Sequence, residues 1–195
     1  MQEDFISHYL EYAATTPEVP TNFSRWAALI GLGAYLGRSY YFEHGNFHVN
    51  PNIYGMFIGV AGARKGTAIK LMKKVFAAAG YNSFSAERTS KEKFLLDLAG
   101  EGDDLSSPSA ADDILEANLF GASSSASSDY KEVFIAIDEF NDFIGTGNIE
   151  FISMLGNMWN YAGTYTNRIK SGKSIAIPNP TPSIVTGKQI GRAHV

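Results

Sequence analysis

Between Asn52 and Thr67 the chain reads NIYGMFIGVAGARKGT, and the chemistry lies in its second half. Gly59, Gly62, Ala63, Arg64, Lys65, Gly66 and Thr67 follow an apolar run, Ile53 to Ile58, and precede an amphipathic stretch, Ala68 to Ala79. A buried strand, a glycine-punctuated turn and a helix, in that order, build an anion site. Turn amides and the positive end of the helix dipole converge on a phosphate, and a lysine reaches the outer phosphates. Gly59 and Lys65 keep the spacing of G-x-x-x-x-G-K-[ST], with two departures. Arg64 stands where the second glycine belongs. Gly66 stands where a Mg²⁺-binding Ser or Thr belongs, and Thr67 comes one residue late. The plainer alternative is a strand–turn–helix connection whose glycines serve the turn alone.

A second constellation lies downstream. Glu132–Ile137 is apolar and β-prone after its first charge and ends in Asp138-Glu139. An acidic pair at the end of a buried strand is costly unless it meets a cation. In phosphate-loop enzymes the first carboxylate holds the Mg²⁺ shell and the second polarises the attacking water. The competing reading has Asp138 capping a helix over 139–144, with Glu139 solvated. A phosphate loop upstream favours the metal-and-base assignment.

The elements that must position these groups follow from periodicity and breakers. Phe5 to Ala13 reads as a short helix closed by Thr15-Thr16-Pro17, and Asn22 can cap a mostly buried helix over Phe23–Leu36. Ser39–Glu43 and Phe47–Asn50 read as a hairpin around His44-Gly45-Asn46. Gly80 stops the loop helix, Ser83–Ala86 is a second strand, and Thr89-Ser90-Lys91-Glu92 fits a capping box opening a helix through Leu98. Ile149–Tyr161 carries an apolar stripe of Phe151, Ile152, Leu155, Met158 and Trp159, read as core. Tyr165–Lys170 and Lys173–Ile177 flank a Ser171-Gly172 turn, a basic hairpin that is either solvated or a binding loop. Pro178–Pro182 breaks the chain before a buried strand, Ser183–Thr186. The domain reading is thus helices and a hairpin over 1–50, packed on an α/β core over 51–189 that carries an insert.

The 195 residues suit one domain, and no apolar run approaches the roughly 20 residues that span a bilayer. No signal-peptide layout opens the chain, and the absence of cysteine excludes disulfides and thiolate metal sites, so a reducing cytoplasm is the expected compartment. Net charge is −4, unevenly spread: Ala99 to Tyr130 holds seven carboxylates and no Lys or Arg, leaving 13 acidic against 16 basic residues elsewhere. An acidic insert therefore masks a mildly basic core, and the overall charge decides nothing about partners. The insert, rich in Ser, Ala, Gly and Asp, is read as a flexible segment with at most a short helix near Ile114–Asn118. Ile190–Val195 back-translates as ATC-GGA-AGA-GCA-CAC-GTC, matching a widely used sequencing adapter. That reading makes it a non-native tail on a C-terminally truncated fragment.

Strand, phosphate loop and helix, a later strand ending Asp-Glu and a further strand ending in the Thr186 hydroxyl define an additional-strand P-loop NTPase core. The order Trp26-Ala27-Ala28-Leu29-Ile30, Gly37-Arg38, Pro51-Asn52-Ile53-Tyr54, then G-x-x-G-x-x-K-G-T, then I-D-E-F, resembles a P-loop ATPase family of phage and plasmid primase–helicase proteins. The likeness runs from Phe23 to Thr186, with Ala99–Tyr130 unmatched. It implies a RecA/AAA+-like fold with a mostly parallel sheet between helices, ATP and Mg²⁺ as cofactors, and a homo-oligomeric ring acting on single-stranded DNA. By this resemblance Lys65 would hold the β/γ-phosphates, and Thr67 would lie near the phosphates or metal. Asp138 would organise Mg²⁺, Glu139 would activate water and Thr186 would stand at the sensor position. The basic hairpin is similar to the loop that ring helicases point into their pore, where Lys170 and Lys173 would track a phosphate backbone. No arginine finger stands out in the sequence; Arg168 is a weak candidate, and by this resemblance the usual location lies beyond the truncation. Three functions stay open: a DNA motor, a nucleotide-gated switch with slow turnover and a small-molecule kinase, the last disfavoured by an Asp-Glu pair followed by a sensor strand.

Overall fold

The computed structural model describes residues 4–16, 18–101, 130–168, 172 and 174–189. The acidic insert beyond Glu101, Lys170, Ser171, Lys173 and Ile190–Val195 lie outside the described residues. Two helices, α1 (Phe5–Ala14) and α2 (Thr21–Leu36), lead into a hairpin of β1 (Phe42–His44) and β2 (Phe47–Val49). Then come β3 (Tyr54–Gly59), α3 (Lys65–Ala78) and α4 (Lys91–Ala99). After the insert follow β4 (Lys131–Ile137), α5 (Phe140–Ile144), α6 (Ile149–Met158), the antiparallel pair β5 (Thr164–Arg168) and β6 (Ser174–Pro178), and β7 (Pro180–Gln189).

The chain is mixed α/β, with a three-stranded parallel sheet in the order β3–β7–β4 flanked by helices. Met56 and Ile137 both pair with Thr186, which places the last turns of the three strands side by side. Ser83–Ala86 contributes one parallel bridge, Phe84 to Phe134, on the far side of β4, rather than a full strand. Alternation along each strand splits the core in two. Phe57, Phe134, Ala136 and Val185 face α1, α2 and α3, while Ile135, Ile137 and Ile184 face α4, α5, α6 and the β5–β6 pair.

Small residues let α2 approach closely. Gly31 carries no Cβ because one would sit 2.6 Å from Phe76 Cε2. The expectation that α2 is buried around most of its circumference fails at Trp26 and Tyr35, both about half exposed. The helix begins at Thr21, behind Pro20, whose ring fixes φ at −58°, so Asn22 lies inside the first turn and caps nothing. In α4 it is Ser90, not Thr89, that caps, its Oγ accepting from Lys93 N–H at 3.1 Å.

Two more expectations need correction. Helix α6 stops at Met158, leaving Trp159 extended and half exposed, because left-handed Asn160 is bound to the hairpin side. Its Oδ1 accepts from Asn50 N and Nδ2 (3.1 and 2.8 Å), and its Nδ2 donates to His48 O at 2.9 Å. The expected break at Pro178–Pro182 is instead the start of β7. Ile184 N–H points to β3, bonding Ile53 O at 2.9 Å, so the absent donors of Pro180 and Pro182, four and two residues earlier, fall on that same side. There β3 has not yet begun, since its pairing starts at Tyr54–Ile184. Proline is tolerated where no ladder bond is required of it.

Candidate functional site

The turn after β3 needs backbone that L-residues rarely adopt. Gly62 has φ 79°, and Arg64, at the N-cap position of α3, has φ 58° and ψ 22°. That explains the glycine of the usual pattern: Arg64 sits in left-handed space at a cost of about 1 kcal/mol relative to glycine. Its guanidinium is tied to Glu18, Nε lying 3.0 Å from Oε2, and Glu18 is itself left-handed at φ 72°. No side chain caps the amino end of α3, in contrast to α1, α4 and α6, where Asp4, Ser90 and Asn148 accept first-turn amides. Lys65 curls back over the loop, its Nζ donating to Gly59 O (2.9 Å) and Val60 O (3.0 Å). Open helix amides, a lysine and positive-φ backbone thus occupy one turn.

Asp138 and Lys65 converge on the end of β7. The Asp138 carboxylate lies against the Cα of Gly66, where any side chain would collide with it, and Lys70, one turn along α3, pairs with Oδ2 at 3.0 Å. That hydrogen bond and the carboxylate charge hold the Lys70 ammonium above its ordinary pKa. A Cβ on Gly187 would meet the Asp138 carbonyl oxygen and lie 3.6 Å from Lys65 Cε. Asp138 caps no helix: Glu139 holds the N-cap position of α5, and its side chain makes no cap bond. Glu139 is turned the other way and pairs with Lys188 Nζ at 3.1 Å.

Strand alternation explains the division. Asp138 continues the row of Phe134 and Ala136 toward α3, and Gly187 continues that of Val185. Glu139, Thr186 and Lys188 continue the opposite rows. The two acids therefore bracket the carboxyl end of β7 from its two faces. Thr186 is buried, and its hydroxyl has only a long contact to Gly187 O at 3.4 Å. Thr67, half-buried, is turned about 100° around α3 from the side of Gly66 that touches Asp138. Its hydroxyl has no hydrogen-bond partner among the described residues.

Lys70, Lys188 and Glu18 were not singled out from sequence. The first two had a signal: Lys70 is four residues from Gly66 on a helix, and Lys188 is two from Thr186 on a strand, so each shares a face with a site residue. Glu18 had none. Among the described residues no cluster of three or more His, Asp or Glu could cage a metal, and no helix is long and apolar enough to cross a membrane. No known protein family, characterised protein or solved structure matches the chain.

Proposed function

We propose that this chain is the nucleotide-binding core of a P-loop ATPase, the motor domain of a replicative helicase or primase–helicase that works on single-stranded DNA as a ring of subunits. The observation that carries the reading is the convergence of Lys65, the uncapped start of α3 and Asp138 on the end of β7. The strand order supports it too, since β7 intervenes between the strand leading into the loop and the strand ending in the acids. The residues fit the group they would hold. Gly66 leaves room for Asp138 beside the helix start, and one exposed carboxylate suffices for Mg²⁺, which is ordinarily held by one or two carboxylates together with substrate phosphates.

In this reading the first-turn amides of α3 and Lys65 bind the phosphates, with Lys65 exchanging the Gly59 and Val60 carbonyls for phosphate oxygens. Asp138 would hold Mg²⁺, which supplies neutralisation of the phosphate charge. Glu139 takes the proton of the attacking water, and Lys188 fixes its carboxylate meanwhile. Thr186 stands by as the buried hydroxyl two residues before Lys188 on the central strand.

The test is ATP binding and hydrolysis by the complete protein, with and without single-stranded DNA. Lys65→Ala is expected to weaken Mg·ATP binding about 10- to 100-fold, the worth of a hydrogen bond to a charged group. Glu139→Gln is expected to bind ATP normally and turn it over 10²- to 10⁴-fold more slowly. A wild-type protein that binds no Mg·ATP overturns the proposal. A slow nucleotide-gated switch is the second reading, favoured by the missing hydroxyl at Gly66 and by the Glu139–Lys188 pair. It gains if Glu139→Gln hydrolyses as fast as wild type.

A further inference from the structure

A cleft of about 690 Å³ opens between the amino end of α4, the α5–α6 connection and the end of β5. Its apolar floor is Phe143 and Ile144, both buried, and its rim is charged. Lys91 on that rim is matched by Glu150 at 2.7 Å. Arg88 and Arg168, contributed by different elements, are exposed and have no carboxylate partner among the described residues. Asn167, beside Arg168, likewise has an uncommitted side-chain amide, whereas that of Asn148 is used within its own helix cap.

The cleft lies at the same end of the sheet as the acids. Phe84 runs parallel to Phe134, so the chain leaving it reaches Glu87, which shares a hollow of about 230 Å³ with Asp138 and Lys70, and then Arg88. One short helix joins the two places: α5 has Glu139 at its start and Ile144 in the floor of the cleft.

We infer that this cleft binds the phosphodiester backbone of a single-stranded nucleic acid, with Arg88 and Arg168 as the phosphate contacts and Asn167 as a neutral donor. Planar guanidinium groups without internal partners are the side chains best matched to phosphate oxygens. A concave trough whose rim sets Arg88, Lys91 and Arg168 against Glu92 and Glu150 suits a flexible strand that can follow the two unpaired arginines, whereas a duplex groove receives a convex helix or ribbon. No exposed aromatic ring lines it, so the contact is to backbone and is indifferent to sequence. The partner is the one named for the proposed motor, and the inference rests on that reading for its purpose but not for the binding itself.

The experiment is fluorescence anisotropy of labelled oligo-dT with the full chain and no nucleotide, over a salt series. Arg88→Ala/Arg168→Ala is expected to weaken binding about 10-fold or more and to lower the slope of log K against log salt by about 1.4, roughly 0.7 for each lost phosphate contact. An unchanged thermal midpoint shows that the double variant is folded, and Arg25→Ala, an exposed change on α2, is expected to bind as wild type. Lys65→Ala should bind the oligonucleotide normally, so a failed phosphate loop and a failed cleft give different results. Absent binding by wild type, or an unchanged slope in the double variant, overturns the inference. So does equal competition by dTMP, which would make the cleft a mononucleotide pocket, or tighter binding of a duplex.

Discussion

The two edges of the parallel sheet both carry charge and handle it in opposite ways. At the amino-terminal edge, Glu132 on β4 accepts the Arg38 backbone N–H at 2.6 Å, and the Arg38 side chain donates to Thr181 Oγ1 and the Tyr161 carbonyl. Gly37, at φ 50°, brings the chain so close that a Cβ would overlap that carboxylate. Nearby, buried Asn52 donates to Pro182 O at 3.0 Å. At the carboxyl-terminal edge the pairs Lys70–Asp138 and Lys188–Glu139 are partly exposed, each resting on a single contact. Apart from the buried Asn52 Oδ1, which has no partner among the described residues, the first edge spends its polar groups on one another. The second holds them against single, partly exposed lysines, beside a helix start that no side chain caps. Charge is structural where its partners are several and internal, and available where they are few and wet.

Five changes would break or sharpen this contrast. The largest effect on stability is expected from Arg38→Ala, about 3 kcal/mol in urea unfolding, because it removes the guanidinium charge near part-buried Glu132 and the donors to Thr181 Oγ1 and the Tyr161 carbonyl, while the backbone N–H to Glu132 stays; ATP affinity is expected to be unaltered. The same edge has a pH signature. Burial pushes the Glu132 carboxyl above its ordinary value against the pull of Arg38. The folded state then binds the extra proton, so this group's contribution falls as pH rises from the ordinary glutamate value through the raised one. Glu132→Gln should remove that slope. Gly187→Ala comes next, about 2 kcal/mol, since its Cβ meets backbone rather than a movable side chain. Gly66→Ala should change stability by less than about 1 kcal/mol, the helix propensity gained offsetting the crowding. It should still weaken Mg·ATP binding, because Asp138 must swing away. Smallest is Lys70→Met, within about 0.5 kcal/mol, as befits an exposed pair. An Arg38→Ala protein as stable as wild type, or a Lys70→Met protein several kcal/mol weaker, would reverse the distinction between the edges.

Much of the carboxyl-terminal edge was legible in the sequence because its signals are local. Apolar runs end in glycines or acids, and alternation then fixes which face each side chain takes. Hence β3, α3, β4 and the β5–β6 pair stand where the pattern puts them, within a few residues. The amino-terminal edge was not legible. Arg38, Glu132, Tyr161 and Thr181 are far apart in sequence, and no periodicity brings an arginine to a glutamate 94 positions away. The Pro178–Pro182 stretch misled for a related reason: proline disqualifies a strand only where a neighbour needs its N–H, and that depends on where β3 begins. Helix α6 ended early because Asn160 answers to the hairpin rather than to its own helix. The hairpin lysines, Lys170 and Lys173, lie outside the described residues, while Arg168 beside them belongs to the cleft.

The order β3–β7–β4 has a consequence for biosynthesis. The middle of the sheet is the last of the described strands to leave the ribosome, so β3 and β4 have no contact through backbone bonds until more than a hundred residues after β3 have been made. Until then both nascent strands keep open flanks that invite mispairing with other chains, and the domain can close only in one late step. A ribosome stalled before Pro180 would hold the two antiparallel hairpins but no parallel sheet, a product for chaperones rather than a closed domain.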